Sequence, residues 1–311
     1  MRIYLFSSVS TICLALTGAA GLTAPQAMTQ PAALQLIAHA PIAVHRDDNG
    51  RVRRHLRNQL ESSNWSGNVV ANFESASTYT AAEATWEVPT VTYTRPPAVC
   101  HTIHSGARGA TFCRAPDPRW EYSSSWVGIG GFCEDANCAS VDDSLIQLGT
   151  EQDASSNGQT QYYAWIETLP ESEVELSPET YPVIPGDTIT ASLTCTANCT
   201  PGGTQTWMLT MTSSRGWTYS SSIAYASSLL SAEWIEEAPS SFSGVLPLAN
   251  YGTATFQPSA NSNPALDLTS TNEIVLVDPY GETSDPSEES GDQFATCWGN
   301  NPSTIAVCSA P

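Results

Sequence analysis

From Gln59 to Pro311 the chain breaks into short runs rich in Val, Ile, Thr, Tyr and Trp, divided by turn-forming residues. The 3.6-residue spacing of an amphipathic helix is almost absent. Such runs include Asn68–Phe73, Ala82–Val88, Ser124–Ile129, Leu145–Thr150, Gln161–Glu167, Thr188–Thr194, Gln205–Thr212, Ala232–Glu236, Thr253–Phe256 and Glu273–Val277. Pro185-Gly186-Asp187 supplies turn chemistry directly before Thr188–Thr194. Many short strands at this spacing predict an all-β sandwich or barrel. A span of about 250 residues fits one such domain, so residues 59–311 are taken as a single unit.

The first 58 residues have a different character. Arg2 precedes an apolar run, Ile3 to Leu16, and small residues follow at Gly18, Ala19, Ala20 and Ala24. That order describes a secretory signal peptide, 1–24, with an apolar stretch too short to span a bilayer comfortably. Residues 25–58 begin Ala/Pro/Gln-rich and become basic through His45, Arg46, Arg51, Arg53, Arg54, His55 and Arg57. They are expected to form a flexible propeptide held by charge complementarity, inhibiting the domain until acid loosens it. Release is expected near Arg57–Leu60.

Charge and cysteine both bear on the compartment. The chain has no lysine, and from Gln59 onward 5 arginines face 29 Asp and Glu residues. Such a surface rejects nucleic acid and anionic membrane at neutral pH. Near pH 3 to 4, roughly, many of these carboxylates are protonated and the self-repulsion fades. An extracellular, soluble, monomeric protein adapted to acid is expected. Beyond Cys13 the cysteines are Cys100, Cys113, Cys133, Cys138, Cys195, Cys199, Cys297 and Cys308. An even count in an exported chain reads as disulfides, and the local pairs 100–113, 133–138, 195–199 and 297–308 are the expected set. Asn64 and Asn198 head glycosylation sequons.

Several common chemistries are missing from the sequence. Beyond the expected propeptide only His101 and His104 remain, so a histidine-paired serine or cysteine nucleophile has little to draw on. There is no Gly-x-Ser-x-Gly, no His-Glu-x-x-His, no phosphate-cradling glycine loop and no Asp-Thr/Ser-Gly loop. No metal or cofactor is expected. Carboxylates, amides and tryptophans remain, which suit acid pH, where a carboxyl near its pKa both accepts and returns a proton.

Six segments occur in a telling order: Ser62-Ser63-Asn64-Trp65-Ser66-Gly67, Ala84-Thr85-Trp86-Glu87-Val88-Pro89, Ser125-Trp126-Val127-Gly128-Ile129, Ile146-Gln147-Leu148-Gly149, Tyr163-Ala164-Trp165-Ile166-Glu167 and Ala232-Glu233-Trp234-Ile235. Together they resemble the signatures of the eqolisins, the glutamic peptidases. The resemblance implies an antiparallel β-sandwich of two large sheets, concanavalin-like or jelly-roll-like, with a Glu and a Gln facing each other in a groove. It implies a secreted, pepstatin-insensitive endopeptidase acting on polypeptides, with Gln147 and Glu233 as catalytic residues. Trp65 and Trp126 are implied as groove walls, and Glu151 and Glu167 as supporting or substrate-facing groups. Strand alternation puts Glu233 and Glu237 on one face, which makes Glu237 the substitute base.

The chain departs from the family pattern in places. Gly130 stands where the family writes aspartate, Glu151 replaces another aspartate, and Thr168 stands where an aromatic is usual. Two other classes of protein fit the same residues. Tryptophan platforms and paired carboxylates suit a carbohydrate-binding module or acid glycosidase, and Gly130 suits an inactive homologue.

Overall fold

A computed structural model describes residues 37–71, 73, 78–96, 99–105, 108–114, 118–260, 272–303, 305 and 307–311, with backbone alone for 56, 99–105, 108–114 and 272. The expected signal peptide and the propeptide as far as Leu36 lie outside the described residues, as do the side chains of His101, His104, Cys100 and Cys113.

In chain order the strands are β1 Leu60–Ser62, β2 Trp65–Ala71, β3 Ala81–Glu87, β4 Val99–Ser105, β5 Arg108–Arg114, β6 Trp120–Gly130 and β7 Leu145–Ser155. Then come β8 Thr160–Thr168, β9 Val174–Glu175, β10 Thr188–Ala197, β11 Gln205–Ser213, β12 Thr218–Tyr225 and β13 Ser231–Glu237. The last are β14 Ser240–Ser241, β15 Gly244–Val245, β16 Thr253–Ser259, β17 Asn272–Val277, β18 Thr283–Pro286 and β19 Phe294–Gly299. Among the described residues the only helical turn is a short 3-10 piece at Leu56–Asn58.

The fold is an all-β sandwich. One layer runs β12-β11-β10-β3-β16, the other β17-β2-β13-β6-β7-β8-β9, and β19-β18 carry the hydrogen-bond ladder from the first into the second. The two expected sheets are therefore one continuous ribbon folded over on itself. Every pairing along it is antiparallel, and β1 adds to β17 in parallel. Between the layers lies the main core, with Trp86, Trp207, Trp234, Phe256, Phe294 and Leu209 all buried.

Strand alternation explains why β7 and β13 are buried along their whole length. Ile146 and Leu148 enter the interlayer core with Trp234. Leu145 and Ile235 enter a second cluster on the opposite face with Trp65, Trp126, Trp165, Phe132 and Ile42. That second face would be solvated, as antiparallel sheets often are on one side, but residues 37–58 cover it in part. The leader is tied down by its backbone: Ala38 exchanges bonds with Ser240, Ile42 N donates to Gly131 O, His45 N to Glu61 O and Ser63 N to Ala43 O. Where the composition suggested flexibility, residues 37–58 belong to one compact unit with the sandwich.

Disulfides join Cys133–Cys138, Cys195–Cys199 and Cys297–Cys308. Cys100 and Cys113 are direct backbone partners across the β4–β5 hairpin.

Candidate active site

The register of four strands lays out the site. Across β13, β6, β7 and β8, one row reads Glu233–Gly128–Gln147–Glu167, the next Ile235–Trp126–Gly149–Trp165, and the third Glu237–Ser124–Glu151–Tyr163. Gln147, Glu151, Glu167, Glu233 and Glu237 thus share the face that carries Trp65, Trp126 and Trp165, and all are buried.

Glycine makes room for the tryptophans. A Cβ on Gly149 would lie 2.5 Å from Trp126 Cβ and from Ser125 O, and 2.9 Å from Trp165 Cζ2. Gly149, two residues after Gln147, is therefore the floor on which the aromatic walls stand. Trp126 Nε1 donates to Glu237 Oε2 at 2.8 Å, Trp165 Nε1 to Ser124 Oγ at 3.0 Å, and Trp65 packs edge-on to Trp126.

A peptide already occupies this face: the leader itself. Gln147 Nε2 donates to the His39 carbonyl oxygen at 2.7 Å and to Glu167 Oε2 at 2.8 Å, and His39 N donates to the same Glu167 oxygen at 3.0 Å. Trp65 Nε1 donates to Ala40 O at 3.0 Å, while Asn64 Nδ2 donates to Pro41 O at 3.1 Å. The His39 ring lies parallel to Trp165 with centroids 3.7 Å apart. Its Nδ1 is 3.0 Å from Glu237 Oε2, and its Nε2 is 3.0 Å from Glu173 Oε2 and 3.8 Å from Glu151 Oε2.

The electrostatics follow from burial. Desolvation alone would push the His39 imidazole toward neutrality, but the hydrogen bonds and charges of Glu173 and Glu237 outweigh it and raise its pKa to about 10. An imidazolium donating from both ring nitrogens therefore sits in the cleft. Burial pushes the Glu167 carboxyl up to about 7 against the pull of the His39 charge. Burial likewise raises Glu237 despite His39 and Trp126, and holds Glu151 well above the carboxylate range, with Asp153 beside it adding to the effect.

The structure thus brings Gln147, Glu167 and Trp65 onto one guest, with Glu151 at its edge and Trp126 reaching it through Glu237. Glu233 is on the right face but does not join them. Among the described residues neither of its oxygens has a hydrogen-bond partner, nor has Gln147 Oε1. The space above Gly128, which separates Glu233 from Gln147, is filled: a Cβ there would meet Trp126 Cζ3 at 2.9 Å and Leu145 Cδ1 at 3.2 Å. Burial, with Asp142 adding to it, raises the Glu233 carboxyl well above the ordinary range. The glutamate that reaches the guest is Glu237.

Gly130 also has a local explanation. Its φ is +94°, and a Cβ would lie 2.1 Å from Ser144 O and 3.1 Å from Asp142 Oδ2. A carboxylate therefore stands beside position 130 although that residue is glycine. It is held by Ser144 N and Oγ and by the Ser228 hydroxyl. Sequence reasoning missed His39 and Glu173. Among the described residues no group of three or more His, Cys, Asp or Glu is arranged to hold a metal ion.

This fold, with a cleft of amide, carboxylates and indoles, belongs to a recognised class: residues 63–297 match the peptidase A4 family, and the chain is a member of it. Among individual relatives, it is 28% identical to aspergillopepsin-2 of Aspergillus niger over 208 residues, 64% of this chain and 64% of that protein's length. In structure it is similar to scytalido-glutamic peptidase, solved with a transition state analog inhibitor. The TM-score is 0.54 at 20% identity, covering 76% of this chain and 98% of that one.

Proposed function

We propose that the chain is a secreted acid endopeptidase in which Gln147 and Glu237 carry out hydrolysis of a peptide bond, and that residues 37–58 are an inhibitory propeptide. One observation carries this reading: a peptide carbonyl, that of His39, rests on Gln147 Nε2 while the same residue's side chain touches Glu237. Membership of the peptidase A4 family supports it and weighs against the carbohydrate alternative. Three disulfides accord with an extracellular destination.

In this mechanism ionised Glu237 takes a proton from a water molecule as its oxygen attacks the substrate carbonyl carbon. The carbonyl π electrons move to oxygen, and Gln147 Nε2 donates a hydrogen bond to the oxyanion that develops. The tetrahedral intermediate collapses, the C–N bond breaks, and Glu237 returns its proton to the leaving nitrogen. Glu167 accepts from Gln147 and so fixes which way its amide points. No covalent intermediate is involved, and pepstatin, aimed at paired aspartates, is expected to leave the activity intact.

The leader blocks this chemistry by position: its imidazolium holds the base, and its carbonyl holds the amide. Its charges are also complementary, since His45, Arg53 and His55 all converge on Glu61, and Arg57 pairs with Glu273. Release is proposed on the exposed Arg57–Asn58 side of the expected boundary, because Gln59 and Leu60 are buried.

The test compares single substitutions in the full chain, assayed on casein at about pH 4. Gln147→Ala and Glu237→Gln are expected to lose at least about 100-fold in activity, and Glu233→Gln to keep most of it. Loss in Glu233→Gln with full activity in Glu237→Gln would move the base to Glu233. Digestion by all three at the wild-type rate would end this assignment of the site, and a wild-type chain that digests nothing would end the peptidase reading.

A further inference from the structure

The mechanism above uses Gln147, Glu167 and Glu237 and leaves Glu173 without a task. It lies just before β9, in the connection that leaves β8, where the strand register does not aim it at the cleft. Yet its carboxylate reaches His39 Nε2 at 3.0 Å with its side chain 8% exposed. Around the His39 ring the pocket has a definite chemistry. Trp165 offers a parallel face at 3.7 Å with an interplanar angle of 8°. Carboxylates lie at both ring nitrogens, Glu237 at one, Glu173 and Glu151 at the other. The wider surroundings are acidic from every side: Asp153 on β7, Glu167 on β8 and Glu175 on β9.

That arrangement suits a narrow class of guest. An aliphatic side chain or neutral aromatic ring would leave buried carboxylates facing nothing, at a cost in desolvation. An ammonium has the charge but no plane to stack on Trp165. Imidazolium and guanidinium have both a flat face and in-plane N–H donors.

We propose that Trp165, Glu151, Glu173 and Glu237 form a subsite for planar cationic side chains, at the residue whose carbonyl Gln147 holds, and that Glu173 is its specificity-determining residue. The proposal deepens the peptidase reading and rests on it in treating the leader as the imprint of a substrate. A peptide with His or Arg at that position is recognised in preference to one with Leu, and His39 is the chain's own example.

The test uses the full chain with His39→Ala, which removes the ring and leaves its place for a small probe. At about pH 6, where imidazoles are largely protonated, the probes are 4-methylimidazole and methylguanidinium, with toluene and methylammonium as comparators. Thermal unfolding and tryptophan fluorescence are read. The two planar cations are expected to raise Tm and change the fluorescence saturably in His39→Ala and to leave the wild type unmoved. Adding Glu173→Gln is expected to weaken their binding about 10-fold, the scale of one buried charge-assisted hydrogen bond. Should His39→Ala fail to fold, His39→Leu in the Glu173→Gln background supplies a second measurement. Its preference between two peptides differing only in His or Leu at that position, read as competitive inhibition of casein digestion, is expected to be about 10-fold below that of His39→Leu alone. Equal binding of all four probes, or no effect of Glu173→Gln, overturns the subsite. Binding of the planar cations by a chain that digests nothing would sink the peptidase reading and leave the subsite standing.

Discussion

Glu236 offers a sharp test of how this protein is adapted to acid. It follows the cleft strand's alternation onto the opposite face from Glu237, toward the space between the layers. There Ser123 Oγ donates to one of its oxygens at 2.5 Å and Ser125 Oγ to the other at 2.6 Å. Burial pushes this carboxyl up to about 7 from an ordinary 4.5, against the pull of the two hydroxyls. Between those values the folded chain holds a proton that the unfolded chain releases. The contribution is therefore fully present below 4.5 and lost as pH rises through 7, and at about 1.4 kcal/mol per pH unit it totals about 3 kcal/mol. Glu236→Gln fixes the group in a neutral form, so its own share of the pH dependence disappears. Urea unfolding followed by tryptophan fluorescence, without reductant, gives the unfolding free energy at about pH 4 and pH 8. The gap between the two is expected to be about 3 kcal/mol smaller in Glu236→Gln than in the wild type, with a loss near pH 4 of only about 1 kcal/mol for the altered hydrogen bonds. An unchanged gap would mean that this carboxyl titrates as an exposed one does, and the argument from burial would be wrong.

The same sign applies to other buried carboxyls. Glu121 and Asp153, both raised to about 8 chiefly by burial, make the wild type more stable near pH 4 than near pH 8, which calorimetry across pH would show or deny. The leader's grip depends on ionised carboxylates around a charged imidazole, so it is expected to weaken as pH falls through about 7, where Glu167 gains its proton. His39→Ala should then show peptidase activity at a higher pH than the wild-type chain, and identical activation profiles would count against the lock. Gly149→Ala sets a methyl 2.5 Å from backbone and tryptophan atoms. It is expected to cost about 2 to 3 kcal/mol by overpacking, read as a lower urea midpoint.

Much of the fold was legible because alternation is a local property. The runs at 82–88, 145–150, 188–194 and 205–212 each lie inside an observed strand or overrun it by a single residue. The joining of the layers was not legible, since β18 is a four-residue Thr-Ser-Asp-Pro piece in which only Thr283 has a strand-forming side chain. In the site, Gln147 stood out as a polar residue between Ile146 and Leu148. Glu233 and Glu237 could not be told apart by period, because four residues along a strand return to the same face. The Trp126 ring over Gly128 separates them, and that is a tertiary fact. His39 left only a faint signal, a lone histidine between Ile37-Ala38 and Ala40-Pro41, apart from the basic run that drew attention. Glu173 was one of three alternating glutamates, Glu171, Glu173 and Glu175, and only the connection after β8 selects it.

The ladder that passes from layer to layer through β19 and β18 has a consequence for solubility. Two separate sheets would present four unpaired margins, whereas among the described residues this ribbon ends at β9 and β12. In acid, when like charges no longer keep molecules apart, backbone edges are where chains stick together. With β9 just two residues long, β12 is left as the long seam that neighbouring copies could extend.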